Sequence, residues 1–186
     1  VTTVFLVRHA HSEWSRGEAR SLSKQGAAAA QDLAVRLSNQ PITAIYSSTS
    51  RRAVETVSPL AERLGLEIIM VEQLREREVP AVPLRAFEQM IKAAWQSPAI
   101  GPAGGESNVH AQKRGVDVLH RIVARHPGEH IVVSTHGDLL ALMMNGLDRS
   151  YGYELWRHLT FPDVYRLTFE KGKFTRAARD WEVAAR

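Results

Sequence analysis

Two hydrophobic rhythms alternate along this chain: short unbroken apolar runs, and longer stretches with apolar residues three or four apart. Residues 4–7 (Val-Phe-Leu-Val) are an unbroken run that stops abruptly at Arg8-His9, as a buried strand does when it delivers polar groups at its carboxyl end. Residues 14–20 read as a loop, and Ser23 is a suitable N-cap for a helix carrying Ala30, Leu33, Ala34 and Leu37 on one face, closed by Pro41. A second strand at 42–46 runs into Ser47-Ser48-Thr49-Ser50, residues that favour turns and helix starts. Val54, Val57, Ala61 and Leu64 then mark a helix with Gly65 at its C-cap and a kink expected at Pro59.

Residues 66–71 predict a third strand, followed by irregular chain from Leu74 to Pro83 and a helix over 84–95. The segment 97–107, with two prolines and three glycines, reads as a loop able to drape over a site. Val109, Val116, Leu119 and Val123 form the next helical stripe, ending near Pro127-Gly128. The strand at 131–133 terminates in Ser134-Thr135-His136-Gly137 before an apolar helix at 139–144, repeating the opening order of strand, histidine and helix. Residues 164–169 and 174–180, joined around Lys171-Gly172, predict a closing hairpin. The alternation argues a three-layer α/β/α sandwich with a mostly parallel central sheet, in a single domain over 1–186.

Composition narrows the chemistry. At 186 residues, 44% hydrophobic and 24% charged, the chain can bury a core without covalent staples. It has no cysteine, which removes thiolate metal sites and any cysteine nucleophile, including the cysteine-arginine loop of one phosphatase class. A net charge of +4 suits anionic ligands, but the basic residues are dispersed and no nucleic-acid-binding motif is present. No apolar run reaches the roughly 18 residues of a membrane span, and no signal-like leader opens the chain, so a cytoplasmic protein with no membrane partner is expected. His9-Ala10-His11 has a metal-like spacing but lacks a third ligand in any local pattern; metal and cofactor are both expected to be none. Of the clustered basic residues, Arg51-Arg52 and Arg75 with Arg77 are explained by small anionic substrates.

Three strand-to-helix junctions carry Arg8-His9, Arg52 and His136, and acidic Glu76 and Glu78 lie in the irregular stretch between. Ligands of open α/β sheets bind at the carboxyl ends of the strands, so these groups would converge on one crevice. Two arginines and two histidines suit a phosphoryl group, whose transition state spreads negative charge over three equatorial oxygens.

Leu6-Val7-Arg8-His9-Ala10-His11-Ser12-Glu13-Trp14, Leu22-Ser23-Lys24-Gln25-Gly26, Tyr46-Ser47-Ser48 with Arg52-Ala53 and Thr56, Leu74-Arg75-Glu76, Gly105-Glu106-Ser107 and Ser134-Thr135-His136-Gly137 together resemble the histidine phosphatase superfamily, branch 1. That superfamily also contains the cofactor-dependent phosphoglycerate mutases. The resemblance implies His9 as the nucleophile that forms a phosphohistidine, a clamp of Arg8, Arg52 and His136 on the phosphoryl oxygens, and Glu76 as the general acid. Ser15 stands where the family has a longer phosphate contact. Ala10, His11 and Ser12 replace the family's usual Gly, Glu and Thr. His11 either binds substrate or faces solvent, and solvent is favoured. The glycine pattern that often follows the acid is missing, which leaves Glu78 as a rival and Asp138 as a weaker one.

The expected activity is hydrolysis of small phosphate monoesters, with a small phosphorylated substrate as the partner. Phosphoglycerate mutase is the alternative enzyme, and a phosphate-binding regulatory module with lost turnover the alternative of another class. The segment 76–107, shorter than its mutase counterpart, favours water as acceptor. His110, His120 and His126 are expected at the surface, and Trp95, Trp156 and Trp181 in packing.

Overall fold

The computed structural model describes residues 1–13 and 19–182 of the chain. Strands β1 (Thr2–Arg8), β2 (Ile42–Ser47), β3 (Ile68–Met70) and β4 (His130–Thr135) run parallel; β5 (Asp163–Glu170) pairs antiparallel with β1, and β6 (Lys173–Arg179) antiparallel with β5. They form one six-stranded sheet in the order β3-β2-β4-β1-β5-β6. The two histidine-bearing strands, β1 and β4, are adjacent, paired from Thr3 with His130 to Arg8 with Thr135. Their ends therefore fall at the same level, and His9 extends the ladder by donating its N–H to Thr135 O at 3.0 Å.

Alternation along the strands divides the core in two. Phe5, Val7, Ile45 and Val132 face one side, where α1 (Lys24–Leu37) and α2 (Arg51–Leu64) cover them with Leu33, Ala34, Val57 and Leu60. Val4, Leu6, Tyr46, Ile131 and Val133 face the other, under α4 (Asn108–Arg125) and α5 (Gly137–Leu147). A parallel strand buried on both faces has no polar positions to spare, which is why these runs are continuously apolar. The α/β/α sandwich expected from the sequence is the fold observed. No helix among the described residues is long and apolar enough to cross a membrane.

Local signals explain most boundaries. Ser23 caps α1, its hydroxyl accepting the Gly26 N–H at 3.0 Å, and Gly65 ends α2 in the left-handed conformation at φ 65°. Pro59 sits within α2 without ending it. Gly26 is required by space: a Cβ there would lie 2.0 Å from the carbonyl oxygen of His11.

Three elements depart from expectation. The third strand is only Ile68–Met70, an edge strand with Ile69 and Met70 exposed, and the chain then takes one 3₁₀ turn at Glu72–Leu74. Helix α3 spans Leu84–Gln96 as predicted, but α6 (Tyr153–His158) has no periodic signal in its six residues and was not expected. Val109, assigned to the buried stripe of α4, is 51% exposed because the buried face runs instead through Asn108, Ala111, Gly115 and Val118, and Val109 lies off it.

Candidate active site

The carboxyl ends of β1 and β4 and the start of α2 bring His9, His136 and Arg52 into one buried cluster. The imidazoles of His9 and His136 lie 5.2 Å apart, centroid to centroid, at 65°. Arg52 stands between them, its Nε 3.3 Å from His9 Nε2 and its Nη2 3.2 Å from His136 Nδ1. A guanidinium only donates, so both of these ring nitrogens present lone pairs. His9 Nδ1 lies 2.8 Å from the Ala10 carbonyl, which only accepts, so the His9 proton is on Nδ1 and Nε2 is the free base. The proton of His136 is correspondingly on Nε2, which donates to Ser48 Oγ at 2.8 Å. Ser48 Oγ is oriented in turn by the N–H of Ser50 at 3.1 Å.

Electrostatics support the same protonation. The His9 pKa is held well below its ordinary value, first by burial and then by the charges of Arg52, Arg8 and Arg20, against the opposing bond to Ala10. Burial, His9 and the same arginines depress His136. Both rings are neutral at pH 7, as a nitrogen nucleophile requires. Arg20 is a contributor that the sequence did not announce.

Arg8 occupies the third side. Its Nη1 donates to Leu159 O at 3.1 Å, and its Cζ lies 3.4 Å from the centroid of the Phe161 ring. A Cβ on Gly137 would come within 2.7 to 2.8 Å of Arg8 Nε, Cζ and Nη2, so Gly137 gives the guanidinium its room. Burial lowers the Arg8 pKa to about 10, partly offset by Glu76, Asp163 and Asp138, and leaves it charged at neutral pH. Thr56 braces the turn after His9, its hydroxyl accepting the Ala10 N–H at 2.9 Å while donating to Arg52 O at 2.7 Å. Arg51, its neighbour's double in sequence, points outward to Glu55.

The three acidic candidates separate clearly. Glu76 lies at the start of α5, where Oε2 accepts the Asp138 N–H at 3.0 Å and Oε1 accepts those of Leu139 and Arg77 at 2.8 and 2.9 Å. It thus supplies the cap that His136, at the N-cap position, does not make with its own side chain. Glu78 is exposed, 3.9 Å from Arg75 Nε. Asp138 is buried and paired to Arg77, with Nε to Oδ2 at 2.6 Å; burial and Glu76 push its pKa up to about 6 despite Arg77.

Several sequence expectations need correction. Arg77 is not available to an anionic substrate, because Asp138 and the Glu106 carbonyl take its guanidinium. His11 does not simply face solvent: it is half-buried, with Nδ1 2.7 Å from Ser23 Oγ and its ring edge-on to Phe161. His126, expected at the surface, is half-buried between Tyr46 Oη at 2.9 Å and Glu129 Oε2 at 3.0 Å. Ser15 lies outside the described residues. Phe161, 43% exposed and 5.5 Å from the His9 ring, is a site residue that sequence reading missed. Among the described residues no group of three or more His, Asp or Glu side chains converges as a metal site would require.

A neutral imidazole and guanidinium groups gathered at the ends of parallel strands, with a carboxyl beside them, make a site suited to phosphoryl transfer. The family model of the histidine phosphatase superfamily, branch 1, matches residues 4–181, and the chain belongs to that family. It is 32% identical over 154 residues to phosphoglycerate mutase-like protein 4 of Arabidopsis thaliana, covering 74% of this chain and 67% of that protein. Over 158 residues it is 31% identical to a metal-independent phosphoserine phosphatase of the same plant, covering 75% of this chain and 66% of the relative. The chain thus spans about two thirds of the length of these relatives. The solved structure of Bacillus stearothermophilus YhfR superimposes with a TM-score of 0.84 at 28% identity, covering 99% of this chain and 98% of that one.

Proposed function

We propose that the chain hydrolyses small phosphate monoesters by way of a phosphohistidine on His9. The observation that carries this reading is the position of Arg52, which addresses the lone pair of His9 Nε2 and that of His136 Nδ1 from one guanidinium. A phosphoryl group held by Arg8 and Arg52, beside His136, meets Nε2 as a nucleophile already in its neutral form. The N–P bond forms as the bond to the ester oxygen breaks, and the fixed cations stabilise the charge on the equatorial oxygens.

Glu76 is the group we assign to protonate the leaving oxygen. Its Oε2 accepts one N–H and retains a lone-pair site that can carry the proton. As carboxylate it then takes a proton from the water that attacks phosphorus, and His9 leaves as the free base with inorganic phosphate as product. Relatives named for phosphoserine support a small phosphorylated acid as substrate, and a cytoplasmic location is part of the same reading.

Acid-stable adducts of phosphohistidine do not exist, so the intermediate is trapped by denaturation in alkali after mixing with a labelled phosphate ester. The expected result is one phosphoryl group on His9, lost in His9→Ala together with turnover. Full turnover by His9→Ala would end the proposal. Incubation with 3-phosphoglycerate and its bisphosphate primer, giving hydrolysis and no isomerisation, separates a phosphatase from a mutase.

A further inference from the structure

We propose that the buried Arg77–Asp138 ion pair is a positioning device for Glu76, fixing that carboxyl at the first turn of α5 beside His136. The inference rests on the reading of Glu76 as proton donor. Residues 75–83 belong to no helix or strand, so no ladder of backbone bonds holds Glu76 in place. Side chains take over that task. Glu76 and Arg77, adjacent in sequence, diverge and grip the same helical turn: Glu76 binds the main chain of Asp138 and Leu139, and Arg77 binds the Asp138 carboxylate.

The grip is anchored from behind. Arg77 Nη1 donates to Glu106 O at 2.9 Å, and the Glu106 carboxylate is held by the fork of Arg114, at 3.0 Å to Nε and 2.9 Å to Nη2. Arg114 Nη1 also donates to the carbonyls of Gln73 and Arg75, at 2.6 and 3.0 Å, while Thr135 Oγ1 holds the Leu74 carbonyl at 2.8 Å. The chain approaching Glu76 is thus tied to α4, to β4 and to the first turn of α5.

Stability alone does not account for such a pair. Arg77 and Asp138 are 1% and 3% exposed, and a buried pair of this kind is often no more stable than apolar residues of similar volume. Fixing which groups meet is its better-attested use. Here the groups are Glu76 and the turn that begins at His136.

The test compares wild type, Glu76→Gln and the paired replacement Arg77→Met/Asp138→Leu, which removes both charges and leaves neither one unpaired. Each is assayed with p-nitrophenyl phosphate, whose leaving group departs without a proton, and with glycerol 2-phosphate, whose alkoxide needs one. The readout is kcat/KM, which ends at the phosphoenzyme and so leaves out the water-activating step that both esters share; there a misplaced acid slows only the second reaction, and small displacements cost up to roughly 100-fold. The paired variant is expected to lose about 10-fold or more on the alkyl ester and under about threefold on the aryl ester. Glu76→Gln should show the same asymmetry, more strongly. Equal losses on both esters, or none, would overturn the proposal by making the pair structural only. If the paired variant does not fold, Arg77→Lys decides by the same ratio, since one ammonium cannot reproduce the fork. Should Glu76→Gln show no asymmetry, the acid assignment falls and this inference with it. Asymmetry in Glu76→Gln without asymmetry in the pair refutes the inference alone.

Discussion

Replacing Gly137 by alanine should damage catalysis even though alanine is the better helix former. A Cβ at this position lies 2.7 Å from Arg8 Nε and 2.8 Å from Cζ and Nη2. Near-equal distances to three atoms place it over a face of the guanidinium. The Phe161 ring, 3.4 Å from Cζ, therefore covers the opposite face. Carbon atoms prefer separations of about 3.5–4.0 Å, so the guanidinium must shift by roughly 0.7 Å or more, with Phe161 blocking the direct retreat. Such overpacking costs about 1–3 kcal/mol, against at most ~1 kcal/mol gained from helix propensity. The functional loss is larger, because a clamp displaced by about 1 Å can cost 100-fold. We expect kcat/KM on p-nitrophenyl phosphate to fall about 10- to 100-fold, with Tm unchanged or lower. Removing the ring that blocks the guanidinium should relieve the strain, so Gly137→Ala/Phe161→Ala should lose less than the product of the single losses. A Gly137→Ala variant that melts higher and turns over within about twofold of wild type would refute the reasoning.

Lowering the pH should destabilise the fold through its two neutral histidines. Their pKa values lie well below ordinary in the folded state, so below about pH 6.5 the unfolded chain binds protons that the folded one refuses, and stability drops by ~1.4 kcal/mol per pH unit for each. Asp138 acts in the opposite sense from about pH 6 downward, because its raised pKa lets the folded chain take up a proton first. The net slope between pH 6 and 5 should be roughly that of one histidine, read from urea midpoints; flat midpoints would contradict it. Glu78→Gln should leave turnover within about twofold while Glu76→Gln costs 100-fold or more on alkyl esters, the scale of general acid catalysis. Ser23→Ala removes the cap of α1 and the partner of His11 Nδ1; a loss of about 1 kcal/mol in chemical denaturation is expected.

The clustering of His9, Arg52 and His136 was legible because parallel strands turn sequence ends into spatial neighbours. Arg8-His9 and His136 each follow an apolar run, and Arg52 follows the serine turn after β2; once the runs are buried side by side, their polar ends have one place to go. What sequence could not show depends on packing between distant segments. Arg77 looks like a surface base until Asp138, 61 residues on, is seen against it. Phe161 reads as an ordinary apolar residue after α6, and only the tertiary fold lays its ring on Arg8. His126 gained its partners because β2 places Tyr46 beside the end of α4. Glu76 is singled out by its motif, whereas its work as the cap of α5 has no local signature, since the capped turn lies 62 residues away.

The bond from Arg52 Nε to His9 Nε2 also decides where that donor goes once the lone pair is spent. A nitrogen bonded to phosphorus no longer accepts a hydrogen bond, so the donor is released at the moment three anionic oxygens arrive next to it. Along the proposed pathway one N–H would first keep the ring poised and afterwards turn to its cargo, with no other side chain recruited.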